Sequence, residues 1–183
     1  MADSPDIPQT PYAQLKAAVH DYGQAAMENF LRCRAFGRAV IEGLPAYLAC
    51  DPGCVSAVPA QGPFDPAKDY GDEAFSFDPR EVIRLEPITF GVCVTVPNEE
   101  DSGSLWLRTG VRVEVTGETF DVFVANQPLV RVPLAFEGEL TPVHETIHRE
   151  LMAVFRKDLL RFQDERYAGG IGFLPNAALT AKA

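Results

Sequence analysis

Two histidines with the spacing of a metal site are the most chemically suggestive feature of this sequence of 183 residues. His144 and His148 are four residues apart, and Glu145 follows the first of them. Residues four apart share one face of a helix, so two imidazoles placed in this way can bind one zinc ion. The glutamate can then act as a general base on a metal-bound water that attacks a carbonyl. One function that these residues predict is therefore a zinc-dependent hydrolase.

The run His144-Glu145-Thr146-Ile147-His148 resembles the HExxH signature of the zinc peptidases known as zincins. The resemblance covers five residues of the chain. It implies that His144 and His148 are zinc ligands, that Glu145 is the catalytic base and that zinc is the cofactor. The order of a helix, antiparallel strands and a helix with this motif is also that of a small zincin domain.

The surroundings of the motif favour a structural role instead. Pro142 places His144 in the first turn of its helix, where the scaffold is less rigid than in the middle. Asp164, a candidate third ligand, lies 16 residues beyond His148 in a helix that the sequence predicts to be unbroken, about 24 Å away at 1.5 Å per residue. The other histidine, His20, is far upstream. We therefore expect no cofactor and no enzymatic activity, and zinc belongs to the alternative hypothesis alone.

Charge and composition narrow the choice of partners. Sixteen Lys and Arg against 26 Asp and Glu give a net charge of −10, which would repel nucleic acids at long range. No apolar run approaches the roughly 18 residues needed to cross a bilayer, so we expect no membrane partner. The acidic, Pro-containing start does not resemble a secretory signal, which favours a cytoplasmic location. In that reducing compartment disulfides are rare, although the turn at 51–53 would bring Cys50 and Cys54 close together.

Hydrophobic periodicity predicts an α+β fold in one domain over 11–168, after a disordered lead-in at 1–10. A long N-terminal helix should run from Pro11 to Leu44, where Gly43 and Pro45 end it. The Pro- and Gly-rich segment 45–80 is interpreted as irregular. An antiparallel β-meander of about four strands spans 82–134, and a C-terminal helix capped by Thr141 continues to about Asp164. The apolar positions of the first helix begin with Tyr12, Leu15, Val19 and Tyr22.

A Gly-rich apolar tail follows at 169–183, and its Ile171, Phe173 and Leu174 are candidate binding residues. The order of elements, together with the acidic charge, resembles at fold level the small dimeric secretion chaperones. We expect a non-catalytic, cytoplasmic domain that binds a protein partner or itself, in the manner of a chaperone or a self-associating module. The zinc-dependent hydrolase remains the alternative.

Overall fold

The computed structural model describes residues 10–75, 85–97, 103–161 and 171–175. Two helices and six strands make up most of this part of the chain, and two short 3-10 helices lie at Pro52–Cys54 and Gly71–Ala74. In chain order the helices and strands are α1 Pro11–Leu48, β1 Val55–Val58, β2 Ile88–Pro97, β3 Gly103–Thr116, β4 Thr119–Val124, β5 Val130–Pro133, α2 Thr141–Arg161 and β6 Ile171–Pro175. The fold is α+β, as the sequence predicts.

One antiparallel sheet with the order β1-β2-β3-β4-β5 forms the centre of the molecule. The predicted meander corresponds to β2 through β5. β3 is long enough to pair with two strands along the same edge. Its first half pairs with β6, where Leu107 lies opposite Ile171, and its second half pairs with β4, where Val111 lies opposite Val124.

Two segments are more regular than the sequence predicts. The segment 45–80 contains the last turn of α1 and the edge strand β1, so its interpretation as wholly irregular is wrong. The four residues of β1 are too few to show a periodicity between prolines and glycines, and their pairing with β2 stabilises them as a strand. Residues 171–175 of the expected tail form β6, whereas 169–170 and 176–183 lie outside the described residues, as do 1–9 and 162–168.

The hydrophobic core lies between one face of the sheet and the two helices. Alternation along β2 and β3 places one set of side chains on this face, and α1 and α2 cover it. Burial of each large apolar side chain contributes roughly 1.5–3 kcal/mol. The main buried contributors are Phe30, Cys33, Phe36, Val40 and Leu44 from α1, Val143, Ile147 and Leu151 from α2, and Phe90, Val92, Val111, Val113, Val122 and Val124 from the sheet.

The first helix begins as predicted but ends later. Thr10 Oγ1 accepts a hydrogen bond from the Ala13 backbone N–H at 3.2 Å, which caps the N-terminus. The predicted end at Gly43 and Pro45 is wrong, because α1 continues to Leu48 with Pro45 buried inside it. Packing against the core outweighs the one helical hydrogen bond that proline cannot make. Ala49, with φ 55°, then takes the left-handed conformation that ends the helix.

Part of the opposite face of the sheet is covered by the chain that follows β1. The guanidinium of Arg108 donates hydrogen bonds to the carbonyls of Pro59, at 3.3 Å, and Gly62, at 2.9 Å. It also lies 4.3 Å from the ring centre of Phe64. A Cβ at Gly91 would lie only 2.8 Å from the Pro59 carbonyl oxygen, so glycine is needed where this segment crosses β2. Within the described ranges, no helix is both long enough and apolar enough to span a membrane.

Two glycines of α1 give a matched test of this packing. A Cβ at Gly37 would lie 2.6 Å from Phe75 Cε1 and 2.9 Å from Phe90 Cε1, whereas no atom lies within 4 Å of the same position at Gly23. We expect Gly37→Ala to lower the free energy of unfolding by roughly 1–3 kcal/mol, because both rings are held in the core. Gly23→Ala should raise it by up to about 1 kcal/mol through helix propensity. Urea denaturation measures both, and equal effects of the two substitutions would contradict this packing of α1.

Candidate functional site

The residues of the HExxH run lie at the start of α2. The carbonyl of Leu140 accepts hydrogen bonds from the backbone N–H groups of Val143 and His144, both at 3.0 Å. Leu140 is therefore the N-cap residue and Thr141 is the first helical residue, so the predicted cap is wrong by one position. His144 lies in the first turn, as predicted.

His144 is buried between the two helices. Its Nε2 lies 3.0 Å from the carbonyl oxygen of Val40 in α1, and because a carbonyl can only accept, the Nε2–H must donate. The ring reaches this carbonyl because α1 has a glycine where it passes: a Cβ at Gly43 would lie 2.9 Å from His144 Cε1. The ring of Tyr47, one turn further along α1, is centred 5.8 Å from the imidazole. The side chain of His144 therefore joins α2 to α1.

Burial also changes the protonation of this histidine. Removal from water lowers the pKa of His144 below its ordinary value, and the hydrogen bond to the Val40 carbonyl opposes this in part. The neutral imidazole with its proton on Nε2 satisfies the observed contact. Nε2 is therefore occupied and could bind a metal only if the Val40 bond were broken.

The other two residues of the motif have different surroundings. Glu145 and His148 are exposed, and the ring of Tyr47 is centred 6.2 Å from that of His148. The helix does bring the two histidines to neighbouring turns, but one imidazole faces α1 and the other borders an open cavity. Within the described part of the chain, no three His, Cys, Asp or Glu side chains are grouped so that they could hold a metal ion. Glu145 and His148 therefore lie at the surface, whereas the neighbouring His144 is buried and bonded to Val40.

The cavity beside His148 has a volume of about 870 Å³. It lies between the middle of α2, the last four residues of β2, Leu107 of β3 and the turn that follows α1. Cys50 and Cys54 lie in its wall, joined by a disulfide with their Cα atoms 6.4 Å apart. The sequence correctly predicts that the two sulfurs are close, but the expectation that disulfides are rare in this chain does not hold for this pair. The apolar lining residues are Leu48, Val94, Val96, Leu107, Leu151, Met152 and Phe155.

The three residues predicted for binding in the tail belong to β6. Ile171 lies opposite Leu107, Phe173 opposite Leu105 and Leu174 opposite Ser104 in the register with β3. Their backbone is therefore part of the sheet, and the expectation of a separate tail is wrong for these residues. A role for them in binding stays a prediction.

An exposed apolar surface on α1 is the feature that the sequence-based interpretation missed. Four apolar side chains with helical spacing are exposed to solvent over about half to three quarters of their surface: Tyr12 (71% exposed), Leu15 (65%), Val19 (73%) and Tyr22 (49%). We call these four residues the α1 stripe. The periodicity marks them as one apolar face, but it does not show whether the sheet extends far enough to cover them.

The α1 stripe is a continuation of the core face of the same helix. Eighteen residues make five helical turns, so positions 18 apart point in the same direction. The positions 18 residues after the stripe are Phe30, Cys33, Gly37 and Val40, and all four are buried against the body of the protein. Tyr22 also accepts a hydrogen bond from the Leu85 backbone N–H at 3.0 Å, which places the edge of the body at this position.

The buried imidazole makes a testable prediction about pH. The pKa of His144 is lower in the folded state than the ordinary histidine value of about 6.5. As the pH falls below that value, the unfolded chain therefore binds a proton before the folded chain does. The free energy of unfolding should therefore decrease as the pH is lowered, with a limiting slope of about 1.4 kcal/mol per pH unit for one proton. We expect His144→Gln, which keeps an amide donor but does not titrate, to show a smaller loss between about pH 7.5 and 5.5 in urea denaturation.

His148→Gln is the matched control, since its imidazole is exposed and one turn away. It should keep the pH dependence of the wild-type protein. The same pH dependence in the His144 and His148 variants would contradict the buried, neutral state of His144.

Comparisons of the chain with protein-family models, with curated proteins and with solved structures found no match. The function must therefore be argued from the contacts and surfaces of the chain itself.

Proposed function

We propose that this chain is a non-catalytic protein-binding domain whose contact surface is the α1 stripe. The observation that carries the proposal is that the core face of α1 continues for three further turns in which its apolar side chains are exposed in the described part of the chain. The largest exposed apolar patch of a protein is often a functional one, and patches of several hundred Å² with polar surroundings mark interaction sites. Two of the four side chains are tyrosines, a residue type that often contributes most of the energy at protein interfaces.

The shape of the surface favours a protein as the partner. The α1 stripe is a convex ridge on one helix, and amphipathic helices of this type bind in the apolar grooves or along the apolar helices of other proteins. Small molecules instead prefer concave sites that enclose most of their surface. The net charge of −10 is unfavourable for a nucleic acid. The chaperone-like function expected from the sequence is one form of this binding, with a client as the partner.

The zinc-dependent hydrolase has less support from the contacts of its own residues. Its first ligand candidate, His144, already donates from Nε2 to Val40. Its second candidate, His148, and its candidate base, Glu145, are exposed without a third ligand beside them among the described residues. We therefore propose a structural role for His144. A cytoplasmic location is part of the proposal.

Site-specific photocrosslinking tests the binding surface. A photoreactive amino acid at position 15 should crosslink the chain to a protein in the cells that produce it, because Leu15 is at the centre of the α1 stripe. The matched control is position 17, which lies on the opposite side of the same three turns and should give no specific product. Mass spectrometry of the adduct identifies the partner. Equal yields at the two positions, or none at position 15, would rule out this surface as the binding site.

A further inference from the structure

We infer that the partner on the α1 stripe is a second copy of this chain, with the two α1 helices antiparallel. This inference rests on the proposed function and names the partner for the same surface. In such a dimer, the stripe of one copy covers the stripe of the other. Tyr12 of each copy would lie level with Tyr22 of its mate, and Leu15 level with Val19. The apolar positions 12, 15, 19 and 22 follow the alternating three- and four-residue spacing of helices that pair along a seam.

The distribution of charge allows two copies to meet at this place. Residues 11–27 contain one Lys and one Asp, Lys16 and Asp21, and no Arg or Glu, so this segment has no net charge. The entire net charge of −10 therefore lies elsewhere in the chain. Two copies that approach through their negatively charged surfaces repel each other, whereas the uncharged first turns of α1 can approach without this electrostatic repulsion.

The covered half of α1 determines the orientation. From Ala26 onward, the same face of α1 is in contact with its own core. A parallel partner would extend its helix along that face and collide with the sheet. In the antiparallel arrangement the partner's helix runs out past Pro11, away from the sheet that packs against the second half of α1. The edges of the two bodies, at Tyr22 of each copy, are then roughly 15 Å apart along the helix axis, which is beyond the Debye length of about 8 Å at physiological ionic strength.

The area available is sufficient for a specific but modest interface. The four side chains of the α1 stripe expose on the order of 500 Å² in one copy, so two copies would remove about 1,000 Å² from water. This is close to the lower limit for specific association. We therefore expect a dimer whose dissociation constant falls in the micromolar range, on the order of 1–100 μM.

Measurement of the molar mass of the full chain tests the inference. In light scattering and sedimentation, the average mass should rise with concentration from that of one chain toward twice that value, with the increase evident by about 100 μM. Leu15→Glu together with Val19→Glu should reduce it to the mass of one chain, because four carboxylates would meet in the seam. The matched control adds the same two charges on the opposite face, Ala17→Glu with Gln24→Glu, and should remain dimeric.

A crosslinking experiment tests the orientation without changing the α1 stripe. Ala18 flanks the seam, and in antiparallel helices the two copies of this position face each other, whereas in parallel helices they lie on opposite sides. Ala18→Cys should therefore form a covalent dimer with a short bismaleimide, and Ala17→Cys should not. The native cysteines will interfere little, because Cys50 and Cys54 are joined in a disulfide and Cys33 and Cys93 are buried, which raises the pKa of Cys33 to about 11. Efficient crosslinking of Ala17→Cys would overturn the arrangement.

Failure of this inference and failure of the proposed function give different results. A wild-type chain that has the mass of one chain at every concentration overturns self-association. If position 15 still crosslinks to another protein in that case, the α1 stripe remains a binding surface with a different partner. If the Leu15 and Val19 substitutions leave the dimer mass unchanged, the chain associates through another surface and the inference is wrong. Circular dichroism of each variant confirms that the helix is retained.

Discussion

The packing of the second half of α1 against the sheet is the contact on which the rest of the structure depends. It requires that the helix backbone come very close to its neighbours, and glycines make this possible. Phe75 and Phe90 fill the space where Gly37 has no side chain, and His144 does the same at Gly43. These contacts hold α1 at a fixed distance from both the sheet and α2. Because they begin only near Ala26, the earlier turns of the same helix remain outside the body.

The location of His144 shows why a short motif is weak support for a function. HExxH specifies two imidazoles on one helix face, but a metal site also needs one unprotonated nitrogen of each ring to face the same point and a third ligand to be near. Here the first imidazole is at the interface of two helices and donates its Nε2–H to Val40. A buried polar group that already has its hydrogen-bond partner is part of the packing. The same five residues in the middle of an exposed helix would have a different meaning.

The α1 stripe and the core are two parts of one amphipathic face. In the body, the sheet covers that face, and the burial of its apolar side chains stabilises the folded chain. Beyond the body, the α1 stripe points in the same direction. Among the described residues, no comparable surface covers its four side chains, which are Tyr12, Leu15, Val19 and Tyr22. A second α1 in the opposite direction would cover them and keep the two acidic bodies apart. The same physical driving force, removal of apolar area from water, would then account for both folding and association.

The sequence determined the elements that depend on local periodicity. The alternation in β2 through β5, the start of α1 at Thr10-Pro11 and the start of α2 near Thr141 were all predictable, because side-chain spacing and capping residues act over a few positions. Only the tertiary structure decided the rest. β1 and β6 are strands because β2 and β3 offer them edges, and Pro45 lies inside α1 because the core there outweighs one lost hydrogen bond. Periodicity likewise identifies the apolar face of α1 but does not show how much of that face is buried, because burial depends on where residues distant in the sequence pack.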